Sequence, residues 1–135
     1  MADAFTLHPR LAADTTEFAR WPLCRVLLMN DARFPWLILV PERPALRDIH
    51  GLAAVDRAIL IEEIARASRL LQERLKADKT NVAALGNQVP QLHVHVIARF
   101  VGDLAWPNPV WSQGAPQPMT AAEREARLAL LRAGL

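Results

Sequence analysis

The residues with the most chemical capacity lie in one run, Gln91-Leu92-His93-Val94-His95-Val96-Ile97. Polar and apolar types alternate strictly, which is the period of a β-strand. Gln91, His93 and His95 therefore share one face, with ~6.6 Å of rise between successive members. Leu92, Val94 and Val96 take the other face, toward a core, and a strand over Gln91 to Arg99 reads as half-buried. An imidazole with an ordinary pKa near ~6.5 is unprotonated at neutral pH, and its free ring nitrogen is then a nucleophile. Just upstream, Gly86-Asn87-Gln88-Val89 is a short glycine-containing loop rich in amide donors, able to present N–H groups to a phosphate. A phosphate ester or anhydride gripped there would lie beside His93. Attack by the ring would give a phosphoimidazole intermediate and split one displacement into two.

Two plainer readings fit the same residues. A solvated sheet face tolerates histidine with no role at all. Alternatively, two imidazoles at i and i+2 share a metal, although a zinc site needs a third and usually a fourth ligand. His8 and His50 are the only other histidines, and no carboxylate flanks the pair.

The elements that must position this run are legible from pattern. Leu23 to Met29 and Trp36 to Val40 are apolar runs joined by the turn-like Asn30-Asp31-Ala32-Arg33, which predicts a hairpin. Ala53 to Lys76 contains neither proline nor glycine. Its apolar residues recur mostly every three or four positions, predicting a long amphipathic helix whose charged face carries Glu62, Glu63, Arg66, Arg69, Glu73 and Arg74. Asn81 to Leu85 is a short strand before the glycine loop. Residues 106–118 hold four of the ten prolines and are expected to be irregular. Thr120-Ala121-Ala122-Glu123 is a capping-box signature opening a final helix through Leu131. Hairpin, helix, two strands and helix predict an α+β fold with a mostly antiparallel sheet.

Composition narrows the function classes. The chain has 135 residues, 52% hydrophobic and 22% charged, enough for one domain with a real core. No apolar window reaches the ~18 residues of a spanning helix. The start, Met1 to Arg10, lacks the pattern of a signal peptide, and the single cysteine, Cys24, sits in an apolar run; together these lead us to expect a cytoplasmic protein with Cys24 in its core. Net charge is +2, with arginines scattered along the chain, which argues against a nucleic-acid module and is compatible with a small anionic ligand.

The central run resembles the signature of the histidine triad (HIT) family, His-φ-His-φ-His-φ-φ, where φ is hydrophobic. With Val89, Arg99, Gly102 and Asp103 it is most similar to the fragile-histidine-triad, or dinucleoside polyphosphate hydrolase, type. Asn30, Pro35 and Ile38-Leu39-Val40-Pro41 resemble that family's nucleoside-contacting hairpin. The resemblance spans about residues 20–111 and implies a single HIT-like domain over 1–135, with 112–135 as a C-terminal extension. It implies that His93 attacks the α-phosphorus and becomes nucleotidylated, and that His95 touches the phosphate near the bridging oxygen. Gly86, Asn87, Gln88 and Val89 fall on the family's phosphate loop. Asn30, or Asp31 if the gap is placed differently, falls where the ribose is held. Trp106-Pro107 resembles a Trp-Pro that in some branches reaches the other subunit's pocket; the alternative is a packed aromatic. Arg99 reads as a structural or solvated charge, and Asn81 is a weak candidate for the family's amide donor.

Two departures stand out. Gln91 replaces the first histidine of the pattern, and Leu37 stands where the hairpin often has histidine. Glutamine donates and accepts hydrogen bonds but does not titrate. The resemblance therefore implies a catalytic set of His93, His95 and Gln91, acting on a diadenosine polyphosphate, a nucleoside phosphoramidate or an adenylylated small molecule. The alternative is a nucleotide-binding module with weak or no chemistry. No tightly bound cofactor is expected, only Mg²⁺ accompanying a polyphosphate substrate. The expected partners are a small nucleotide and a second copy of the chain, with neither nucleic acid nor membrane.

Overall fold

A computed structural model describes residues 4–135. Five strands form one antiparallel sheet: β1 (Thr15–Arg20), β2 (Cys24–Met29), β3 (Trp36–Pro41), β4 (Lys79–Ala83) and β5 (Val94–Arg99). Their order is β1-β2-β3-β5-β4, so β5 sits between the hairpin and β4. The helices are α1 (Pro9–Asp14), α2 (Ala54–Leu75) and α3 (Ala121–Arg132), with one 3₁₀ turn at Ile49–Gly51. The fold is α+β, as the pattern predicts.

The sheet is buried on both faces. On one, Val26, Leu28, Leu37, Leu39, Val94 and Val96 pack under α2 and α3, whose contributions include Leu60, Leu71, Leu128 and Leu131. On the other, Leu27, Trp36, Ile38, Val40 and Ile97 are covered by Leu11 of α1 and by Phe34, Ala105 and Val110 from loops. The half-buried strand expected over Gln91–Arg99 is therefore corrected in two respects. Every residue of β5 is buried, because α1 and the proline-rich loop close over the face that alternation left open to water. The strand also starts at Val94, since pairing with β4 ends at Ala83 opposite His95 and the Leu92 N–H turns aside to the Leu46 carbonyl. The expected strand at Asn81–Leu85 lies two residues earlier, as an edge strand where Lys79 and Thr80 are tolerated.

The hairpin, α2 and α3 stand where expected. Thr120 and Glu123 form the reciprocal capping box of α3. Cys24 is fully buried, and burial pushes its thiol far above the usual range, away from reactivity. One residue of the supposed charged helix face is misassigned by periodicity. Glu63 is buried, and its carboxylate accepts the N–H groups of Leu23 and Cys24 at 2.9 and 2.8 Å. No described helix is long and apolar enough to cross a membrane.

Candidate active site

The second sheet face, which Trp36 shares, carries His95, with the His93 ring beside it. His95 lies on β5 opposite Ile38 of β3 and Ala83 of β4, and His93 precedes the strand by one residue. Both are nearly enclosed, at 6% and 7% exposure for His93 and His95, so the reading of a solvated, idle sheet face does not hold. Their rings stand edge to face with centroids 4.9 Å apart.

Each ring has its tautomer set by a neighbour of fixed polarity. His93 Nδ1 lies 2.7 Å from the Gln91 carbonyl, which only accepts, so in the neutral ring Nδ1 carries the hydrogen and Nε2 keeps its lone pair. His95 Nδ1 accepts the indole N–H of Trp36 at 3.0 Å, and indole only donates, so in the neutral ring the proton sits on Nε2. Burial first, and the nearby His93 second, push the His95 pKa down to about 4, which leaves it neutral at pH 7. The Trp111 ring lies 5.2 Å from His95 and 5.8 Å from Trp36, closing an aromatic wall over the second imidazole. Sequence reasoning passed over Trp111 because it lies in the proline-rich stretch, where no periodicity tells an aromatic's facing.

Two cavities meet at His93. One, of about 490 Å³, has His95 and all four residues Gly86, Asn87, Gln88 and Val89 in its wall. Leu11, Met29, Ile38 and Val110 make an apolar end to it. Gly86 takes φ +71°, a left-handed conformation natural to glycine, which turns the chain back toward the histidines. The N–H groups of Asn87, Gln88 and Val89 donate to no protein group among the described residues. The second cavity, about 650 Å³, shares Leu85, Gly86 and His93 with the first and is bordered by Arg47, Asp48, His50 and Arg57.

Other expected site residues are placed differently. Gln91 lines neither cavity: its side-chain oxygen accepts the His8 N–H and its amide nitrogen donates to the Thr6 carbonyl, both at 2.8 Å. The amide is turned toward the N-terminal segment, so of the expected set His93 and His95 border a cavity and Gln91 does not. Asn30 also stands off the cavity, its side-chain oxygen accepting the Met119 N–H at 2.8 Å. Asp31 does line the first cavity, but it is fully buried and paired with Arg33 at 2.9 Å. Trp106 lines neither cavity of its own chain and packs its ring 5.6 Å from the Arg99 guanidinium. Arg99 is structural: it is buried, and it bonds both oxygens of Asp103 and the side-chain oxygen of Asn81. Asn81 is thereby withdrawn as an amide donor to a phosphate. The Arg99 pairing holds Asp103 well below the usual carboxylate range, and Asp103 in turn accepts the N–H groups of Phe100, Ala105 and Trp106. Among the described residues, no three His, Cys, Asp or Glu side chains gather as metal ligands.

The model of the HIT domain matches residues 10–102. The chain is 49% identical to a histidine triad protein from Bradyrhizobium japonicum over 98% of both chains, and their structures superpose with a TM-score of 0.95. A histidine triad protein from Marinobacter aquaeolei is 46% identical over 98% of this chain and 97% of its own, with a TM-score of 0.95. One from Sinorhizobium meliloti is 43% identical over 97% of both, with a TM-score of 0.94. No curated protein matches. Domain match, identity over the whole length and superposition agree, and the chain belongs to the histidine triad (HIT) family.

Proposed function

We propose that this protein is a nucleotide hydrolase or transferase that acts at an α-phosphate through a nucleotidyl intermediate on His93. The observation that carries the reading is the 2.7 Å contact between His93 Nδ1 and the Gln91 carbonyl. In the neutral ring it places the free lone pair on Nε2, and the ring borders both cavities. The apolar end of the smaller cavity suits a nucleobase. The unengaged N–H groups of residues 87–89 suit the phosphoryl oxygens on which charge develops. His95 is suited to hold the bridging oxygen with a neutral Nε2–H, a hydrogen bond and not a proton from imidazolium. Arg47 and Arg57 border the larger cavity, which suits the departing portion when that portion is anionic. This favours a dinucleoside polyphosphate, the substrate of the fragile-histidine-triad type, over a phosphoramidate with an amine leaving group. Mg²⁺ would arrive with such a substrate, and no tightly bound cofactor is required. A homodimer is supported by β4, an edge strand with half-exposed Val82 followed by half-exposed Leu85. Trp106, partly exposed beside Arg99 and lining neither cavity of its own chain, is the candidate to reach a partner's pocket in such a dimer. A cytoplasmic setting fits the lone, buried thiol.

The test is to quench the protein with a panel of nucleotides and weigh it intact. A nucleotidyl adduct is expected on wild type and absent from His93→Ala. Nucleotide binding with no adduct and no turnover, equal in both proteins, would instead assign a binding module.

A further inference from the structure

Gln91 stands at the first position of the family pattern, yet its side chain faces the N-terminal segment. We propose that Gln91 is a positioning residue for nucleotide binding, clamping residues 6–8 so that α1 forms a wall of the 490 Å³ cavity. The inference rests on the nucleotide reading above and extends it to a residue that touches no ligand.

The clamp has a specific geometry. The amide oxygen and nitrogen of Gln91 lie side by side, and they meet the His8 N–H and the Thr6 carbonyl at 2.8 Å each. The side-chain amide thus bonds the Thr6–His8 segment as the N–H and C=O of a single residue would on a parallel neighbouring strand. The two nitrogens of an imidazole diverge across the ring and do not face one edge in this way. Glutamine also does not titrate, so neither of the two bonds made by Gln91 involves a titrating group.

What the clamp holds is otherwise weakly determined. α1 has six residues, too few to be stable alone. Its N-terminus is set by His8, whose ring Nδ1 accepts the Arg10 N–H at 3.0 Å. Its far end is tied by the Thr15 hydroxyl, which donates to the Leu11 carbonyl at 2.6 Å. Arg10, Leu11 and Asp14 then border the cavity. Residue 91 therefore serves the site from two sides, with its main-chain oxygen on His93 and its side chain on the opposite wall.

The test uses the full chain with Gln91→Met, which keeps length and removes both hydrogen bonds, and His8→Pro. His8 already has φ −55°, close to the angle proline imposes, so His8→Pro deletes the donor with little change of backbone. His8→Ala controls for loss of the ring. Binding of AMP is measured by calorimetry, adduct formation by intact mass, and amide exchange of residues 10–14 in the free protein. Gln91→Met is expected to weaken AMP about tenfold and to speed exchange in α1 by a similar factor. A clamp is read from a loss of AMP affinity that exceeds any loss in the rate of adduct formation at saturating nucleotide. The double variant should lose less than the sum of the singles. Unchanged exchange and AMP affinity in Gln91→Met would overturn the clamp. Faster exchange with intact AMP affinity would remove α1 from the nucleotide wall, and loss of adduct rate with intact affinity would move Gln91 into the chemistry. Failure of wild type to bind AMP would instead count against the nucleotide reading, with amide exchange still judging the clamp.

Discussion

His93 and His95 are one residue apart, yet their neighbours give them opposite tautomers. A carbonyl holds a hydrogen on Nδ1 of the first, and an indole N–H denies one to Nδ1 of the second. With both rings neutral, the pair combines a lone pair on Nε2 of His93 with an N–H donor on Nε2 of His95. The depressed pKa of His95 has a consequence for stability. Between pH 6.5 and about 4 the unfolded chain binds a proton at residue 95 that the folded chain does not. Its contribution is thus complete above pH 6.5 and is lost as pH falls through that window. Urea titrations at pH 7 and pH 5 should show a His95-dependent loss of about 2 kcal/mol, absent in His95→Gln. Equal pH dependence in the two proteins would contradict the buried neutral ring. At this scale the sequence showed which atoms could react, since alternation alone puts both histidines on one face. It did not show the tautomers. Those depend on Trp36, from a strand 59 residues away in sequence, and on a main-chain carbonyl, which any residue type supplies.

Among the elements, those with strong periodicity or explicit caps were legible: the hairpin, α2 and α3. α1 and β1 were not, because a six-residue helix and an edge strand with Phe18 as its one fully buried residue give too little pattern. Glu63 shows the limit of reading a helix face by residue type. It sits among charged neighbours but points inward, where the first N–H groups of β2 lack ladder partners. Glu63→Ala should cost about 2–4 kcal/mol in denaturant unfolding by orphaning two buried donors, with Glu63→Gln losing about half as much. A loss below about 0.5 kcal/mol for Glu63→Ala would mean that water replaces the carboxylate. Asp103 has a similar task at the far end of β5, gathering three N–H groups and Arg99 into one turn. Its appearance in the motif is explained by structure and requires no contact with a ligand.

For the whole molecule, the sheet's two buried faces divide the labour. The face under α2 and α3 is core, and the face under α1 and the proline-rich loop encloses the site. Sequence reasoning anticipated the first face from apolar alternation. It left the second open because its cover comes from segments without period. Enclosure is what turns two polar residues at the start of β5 into a desolvated pair, with His93 bordering both cavities and His95 the smaller one. If phosphorus passes through His93, two displacements replace one. Each in-line displacement inverts the α-phosphorus. The stereochemical course can therefore be read by hydrolysing a nucleotide of single α-thiophosphate configuration in ¹⁸O-labelled water. Overall retention is the predicted result, and inversion, meaning direct attack by water, would contradict the account.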